Sequence, residues 1–525
     1  MTLMSAPESA VWGQALVASA LALPVAGSLA CVLLGERWSR FVALLLAPVM
    51  VAVSIAVAVA VHLNGAAIFL VVGGWRPPLG IQLRADGLAS SLLITAAIVV
   101  GATTWFAFGD QDESTPRPGG ITGARRSASF WPLLLGVEAG VSAAFLCNDL
   151  FSLFVALEML TFAAVPLVSL GGSVSSAAAA LQYMLFALMG SFLYLVGVVL
   201  LYAACGTLDI GLLGQRSLDD SVVLLALAIM SVGLFAKAAL FPLHFWLPPA
   251  HGGALPAASA VLSALVVKGA FFVALRLWID VQPGLLASPA AQVVAGLGAG
   301  AILFGSVVAL QQTRLKPLIA YSTVAQIGYL FLLFGLLAEP DESTGVAVSS
   351  MVLTAAVLQV GSHALAKAAM FLAAGRITDV AGHDRLDGLA GVARILPRCV
   401  IAFAIAGLAL MGVPPSGGFW AKWLLLTASV ETGHWWWGMI IVIGGLLSGG
   451  YVYRAVVSMT AAPAEPVTPG AGVIPRGSPW RSRDMAPLLL AMASLLLGFL
   501  ALKPVKLIQV GRGPTADQHM EATAR

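Results

Sequence analysis

The sequence predicts an all-α polytopic membrane protein, and three observations carry that prediction. Of 525 residues, 60% are hydrophobic and 10% charged, against about 25% charged in an ordinary soluble domain. The apolar residues come in runs of about 20, the length that crosses a bilayer as a helix. Those runs are continuous, whereas a membrane barrel needs alternation. A soluble enzyme, a secreted disulfide scaffold and a nucleic-acid binder are excluded at once. Cys31, Cys147, Cys205 and Cys399 lie in or at the ends of apolar segments without metal-ligand spacing, and read as small packing residues. The first run has no basic segment before it and reads as a first span, not a cleaved signal.

Charge, Gly and Pro punctuation divides the chain into 14 candidate helices. They run over 14–34, 40–62, 86–108, 130–147, 149–170, 177–204, 221–242, 254–279, 290–311, 317–337, 346–376, 396–430, 435–459 and 485–503. Segment 73–87, with Pro77, Pro78 and short alternation, reads as an extended hairpin on the outer face. Segment 109–129 is polar and reads as a cytoplasmic loop. Segment 460–484 carries five prolines and reads as a second one. The remainder, 485–525, is helix 14 and a tail. Basic residues divide 15 to 8 between alternate sides, with Arg37, Arg125, Arg126 and Arg481 on the richer one. That side is expected to be cytoplasmic, which puts both termini outside.

Two spans are interrupted. The seventh reaches Pro242 soon after Lys237, and the twelfth carries GVPPSGG (412–418) before Lys422. Breaks free backbone groups that lipid cannot satisfy, so they must face protein or a water-filled cavity. Interruptions in corresponding places point to internal repeats around a transport site. The breaks are five helices apart, which predicts two inverted five-helix repeats, 130–280 and 290–459, after the three helices of 1–108.

Only seven of the 27 basic residues are lysines, and Lys237, Lys268, Lys367 and Lys422 all lie inside apolar runs. Each ionised residue at the bilayer centre costs about 2.5–3.5 kcal/mol. With Glu158, the set would cost on the order of 12–18 kcal/mol if nothing offset it. Such residues pair with each other or with water and mark ion pathways. The plain alternative for any one of them is a structural ion pair or a side chain snorkelling from a helix end.

Glu158 is in the middle of LFVALEMLTFAAVPL and Lys237 in the middle of VGLFAKAALFP. A carboxylate within reach keeps a buried ammonium charged, and withdrawing it favours proton release. A movable Glu–Lys pair is therefore a switch for protons, and a static salt bridge is the alternative. Lys268 could equally pair with a carbonyl of a broken helix. His363 and Lys367 are one turn apart on a shared face, an arrangement suited to a proton relay or to plain hydrogen bonding. Tyr321, Ser322, Thr323 and Gln326 could hold water or join helices. Glu138 is a second membrane carboxylate, structural or functional. His244 and His251 flank WLPP as a proton entry funnel or as solvated loop residues. No motif for phosphate, dinucleotide, haem or an iron–sulfur cluster is present. The chain is therefore expected to hold no cofactor, metal or catalytic site, and to take energy from an ion gradient or a partner protein.

The stretch KAALFPLHFWLPPAHGGALPAASAVLSALVVKGAFFVALR (237–276) resembles the signature of proton-conducting antiporter-like membrane subunits. These are the large subunits of respiratory complex I, of membrane-bound hydrogenases and of Mrp-type cation/proton antiporters. DLFSLFVALE (149–158), LKPLIAYSTVAQIGY (315–329), HALAKAAMFLAAG (363–375) and GVPPSGGFWAKW (412–423) extend the likeness in the same order. The resemblance implies 14 helices with two inverted repeats, broken seventh and twelfth helices and a polar axis at mid-membrane. It implies a Glu158–Lys237 pair, a connecting Lys268, a His363/Lys367 relay and a terminal Lys422. GGWRPPLGIQLRAD and DLFSLFVALEML look closest to the Mrp D-type subunit.

Three departures stand out: Pro249 where the family has an acid, Arg314 where it has Asp, and ALPAASA for APxPVSA. They put coupling to partners or cations in doubt more than the proton axis. The function implied is proton translocation within a multi-subunit complex of the bacterial inner membrane. Expected partners are other membrane subunits, lipid, protons and sodium or potassium, and no nucleic acid. The alternatives are a proton-pumping subunit of an NADH-quinone oxidoreductase or hydrogenase complex, and the membrane half of an inorganic-carbon uptake complex.

Overall fold

The computed structural model describes residues 6–109, 123–216, 220–337, 345–462, 482–500, 507, 508, 510 and 511. Most of the two loops read at 109–129 and 460–484, and the tail after Gly511, fall outside these residues. Helices α1 (Ala6–Leu34), α2 (Glu36–Asn64) and α3 (Gly87–Phe108) come first. Between α2 and α3 lies an antiparallel hairpin, β1 (Ile68–Val71) against β2 (Gln82–Ala85). Its first strand precedes the expected start at Gly73, because Gly65, at φ 66°, closes α2 and lets the chain extend before Ile68. Then follow α4 (Gly123–Leu146), α5 (Leu150–Ser169) and α6 (Val174–Cys205). Helix α4 begins before the expected residue 130, since Ala-Arg-Arg-Ser-Ala contains no helix breaker.

The seventh run is divided into α7 (Ser221–Lys237) and α8 (Leu247–Gly253). Next come α9 (Pro256–Val281), α10 (Pro289–Gln311), α11 (Leu315–Leu332) and α12 (Gly345–Ala381). The twelfth run is divided into α13 (Pro397–Met411) and α14 (Gly417–Glu431), before α15 (Trp435–Thr460) and α16 (Ser482–Leu500). Among the described residues, 11 helices are long and apolar enough to cross a membrane, while α7 and α13 are apolar but shorter.

Local chemistry sets the ends. Asp86, Asp149, Ser173, Asp220 and Ser416 cap α3, α5, α6, α7 and α14 through their side chains. Gly412, at φ 86°, closes α13 in the left-handed region that a side chain would disfavour.

Small residues draw helices together. A Cβ on Gly190 would sit 2.7 Å from the Gly233 carbonyl, which locks α6 to α7, and one on Gly298 would sit 2.7 Å from that of Gly328, which locks α10 to α11. Helices α9 and α11 are buried along nearly their whole length, whereas α1, α2 and α15 keep wide exposed apolar faces. Helix α9, which carries Lys268, and helix α11 beside it thus lie at the centre of the bundle. Arg276 and Arg376, which the sequence places near the ends of candidate helices 254–279 and 346–376, are buried. Arg276 pairs with Asp86 at 2.9 Å and Asp280 at 2.6 Å, and Arg376 with Asp484 at 2.9 Å. Their charge gave no sign of which Asp residues would seal them, since those lie on other segments or one helical turn away.

Candidate functional site: a buried row of ionisable side chains

Lys237 is the last residue of α7, where the helix stops and its final carbonyls are taken by Ala238, Ala239, Leu240 and the Trp246 indole. Its Nζ lies 2.9 Å from Glu158 Oε1 of α5 and 3.1 Å from Thr161 Oγ1, one turn further along the same helix. Ser191 of α6 donates to the same Glu158 oxygen. Three helices therefore converge on one carboxylate, and the two expected partners meet directly.

Lys268 is on α9 just after a π-wound turn, Leu262–Val266. Wider winding frees a carbonyl, and Lys268 Nζ donates to the one at Ser263. The Ser263 hydroxyl meets Thr323 Oγ1 of α11 at 2.9 Å. On α12, Lys367 donates to Ser322 Oγ and, at 3.1 Å, to the Ile319 carbonyl, both on α11. Helix α11 is thus the polar spine of the site. Ser322 and Thr323 are adjacent on it: Ser322 meets Lys367 directly, and Thr323 meets the hydroxyl of Ser263, whose carbonyl accepts from Lys268. His363 shares the α12 face with Lys367 as expected, yet neither ring nitrogen has a partner among the described residues.

Lys422 Nζ reaches back from α14 to the free carbonyls at the end of α13, Leu410 at 2.6 Å and Met411 at 3.1 Å. It also stands 4.4 Å from the centre of the Tyr329 ring. No carboxylate pairs with it among the described residues.

The accessory candidates divide. Ser322 belongs to the row, while Tyr321 is half-buried beside it. Glu138 is buried on α4, and its Oε2 lacks a partner among the described residues. His244 and His251 are buried, not solvated loop residues. His244 stacks on Phe241 and Phe245, and His251 on Phe371 at 4.7 Å between centres. The break in the seventh span folds WLPP inward, which sequence position alone does not reveal.

Sequence reasoning named Gln326 but missed the polar group gathered around it. Gln326 Nε2 donates to the Leu410 carbonyl at 3.2 Å and lies 3.5 Å from Ser448 Oγ, and its Oε1 accepts from Gln359 Nε2 at 2.9 Å. Tyr451 donates to Ser448 at 3.1 Å. Gln359 precedes His363 by one turn, and that spacing was the available signal.

Four buried lysines, a carboxylate and a connecting polar helix define an ion-translocating class of polytopic membrane protein. The chain belongs to the NADH:quinone oxidoreductase/Mrp antiporter transmembrane family, whose model matches residues 147–448. It is 36% identical over 413 residues to NADH-quinone oxidoreductase subunit N of Desulforudis audaxviator, covering 76% of this chain and 78% of that one. It is 31% identical over 405 residues to the D-type subunit of the Na(+)/H(+) antiporter of Alkalihalophilus pseudofirmus, covering 76% and 77%. Its fold matches a chain of the Mrp complex from Dietzia sp. DQ12-45-1b with a TM-score of 0.83 at 25% identity, over 97% of this chain and 99% of that one.

Proposed function

We propose that this chain is a proton-translocating subunit of a multi-subunit complex in the bacterial inner membrane, similar to the D-type subunit of an Mrp-type monovalent cation/proton antiporter. The observation that carries the reading is the 2.9 Å Glu158–Lys237 pair at the end of a broken helix. Protons enter from the cytoplasm, pass Lys237, Lys268 and the His363/Lys367 region, and leave near Lys422. Glu158 sets the charge of Lys237 by moving toward or away from it. Other membrane subunits are the partners, with sodium or potassium as the exchanged cation. The five-helix units 130–280 and 290–459 are read as inverted repeats, and both termini as extracytoplasmic. A reporter fused after Arg525 that is active only in the cytoplasm would overturn that orientation.

The test is gradient-driven transport in vesicles carrying the assembled complex. Lys237→Ala is expected to abolish it, Glu158→Gln to reduce it strongly and Glu158→Asp to reduce it mildly. Breaking a buried pair costs about 3–5 kcal/mol, so assembly is measured beside activity. Replacing Glu158 by Gln and Lys237 by Met together restores stability but not transport. An active double variant would mean a static bridge. A second reading, a proton-pumping subunit of an NADH-quinone oxidoreductase, is favoured by the 36% identity to a subunit of that name. Co-purification with quinone-reducing and iron–sulfur subunits would establish it.

A further inference from the structure

Between the Lys367 region and Lys422 the hydrogen bonds face each other the wrong way. Lys422 donates to the Leu410 carbonyl from one side, and the Gln326 amide donates to it from the other. A backbone carbonyl carries no proton to hand on, and an ammonium has no acceptor while charged. The orientation of the amide follows from its neighbours. Leu410 O can only accept, so Nε2 must face it, which turns Oε1 toward Gln359. A neutral primary amide is also a poor proton carrier, because relaying a proton requires its unstable imidic acid form. Gln326 and Gln359 are buried, as are Ser448 and Tyr451 beside them.

We propose that the Gln326–Gln359 pair is an insulating lock on the proton route, which opens only when the Gln326 amide turns from Leu410 and lets water bridge the gap. The proposal rests on the lysine-row reading and adds the residues that keep the row from leaking. Leu410 is the last carbonyl but one of α13, so the same helix break that receives Lys422 supplies the bolt position. Removing the Gln326 side chain leaves Leu410 O, Ser448 Oγ and the Gln359 amide around a space for water. Three polar partners are what a buried water needs.

The experiment uses vesicles containing the assembled complex and two readouts, passive proton leak after an acid pulse and gradient-driven coupled transport. Gln326→Ala is expected to raise the leak about tenfold, the factor that one lost buried hydrogen bond gives in a barrier, and to uncouple transport. Gln326→Leu fills the space without polar atoms, so it should stay tight and lose coupled flux. Gln359→Ala frees only Oε1 of Gln326 and should leak less than Gln326→Ala but more than wild type. Adding Lys422→Ala to Gln326→Ala should remove the leak. Assembled Gln326→Ala and Gln359→Ala variants as tight as wild type overturn the lock. If that tightness accompanies an inactive Lys422→Ala, only the lock fails. Full coupled transport by Lys422→Ala alone overturns the lysine-row reading and the lock with it.

Discussion

The two broken spans each bury a lysine, yet they neutralise it by different means. At the first break Lys237 meets the carboxylate of Glu158, with Thr161 and Ser191 completing the contacts. At the second, Lys422 meets the Leu410 and Met411 carbonyls and the face of Tyr329. A carboxylate carries full charge, so its movement changes the energy of the lysine at a distance. Carbonyl dipoles at a helix C-terminus supply about half a charge and act within the last turn. The first site is therefore built to respond to charge, and the second to geometry.

That contrast can be broken most severely at the second site. Lys422→Ala, with Lys367→Ala beside it, is expected to remove gradient-driven transport in vesicles while the protein stays inserted and folded. If both keep full activity in the assembled complex, the row is not continuous. A smaller effect is expected at Tyr329. Tyr329→Leu removes the ring beneath Lys422, worth about 0.5–2 kcal/mol, and should lower the melting temperature of the purified complex and slow transport. Tyr329→Phe keeps the ring, loses only the 3.3 Å hydrogen bond to Ile441 O, and should lie close to wild type. Equal loss in both variants would assign the effect to the hydroxyl. The smallest effect sharpens the first site. Ser191→Ala removes one hydrogen bond to the charged Glu158, about 1.5–3 kcal/mol, but leaves the charge in place, and should reduce transport less than Glu158→Asp does. A Ser191→Ala variant as impaired as Glu158→Gln would show that the hydroxyl, not the charge, governs the pair.

The charged members of the row were legible because a lone ion in an apolar run carries a cost that must be offset. Glu158 and Lys237 are 79 positions apart; that cost required a partner for each, and the family resemblance implied that they were each other's. Gln359, Ser448 and Tyr451 gave no such signal. Uncharged polar residues are tolerated in membrane helices and their hydrogen bonds are individually weak. Likewise WLPP could be read as a turn, but not as a turn that buries His244 and His251.

What the sequence by itself determined is the membrane solvent, the helical runs, the two interruptions and the residues that could not remain unpaired, because each follows from local composition and desolvation cost. The tertiary structure decided which atoms satisfy them. Lys268 finds a carbonyl only because α9 is π-wound at Leu262–Val266, and Lys422 and Gln326 share Leu410 O only because the end of α13 faces α11 and α14 together. Those choices depend on the relative placement of helices far apart in the chain, which is set by packing, and packing has no signature in any single run.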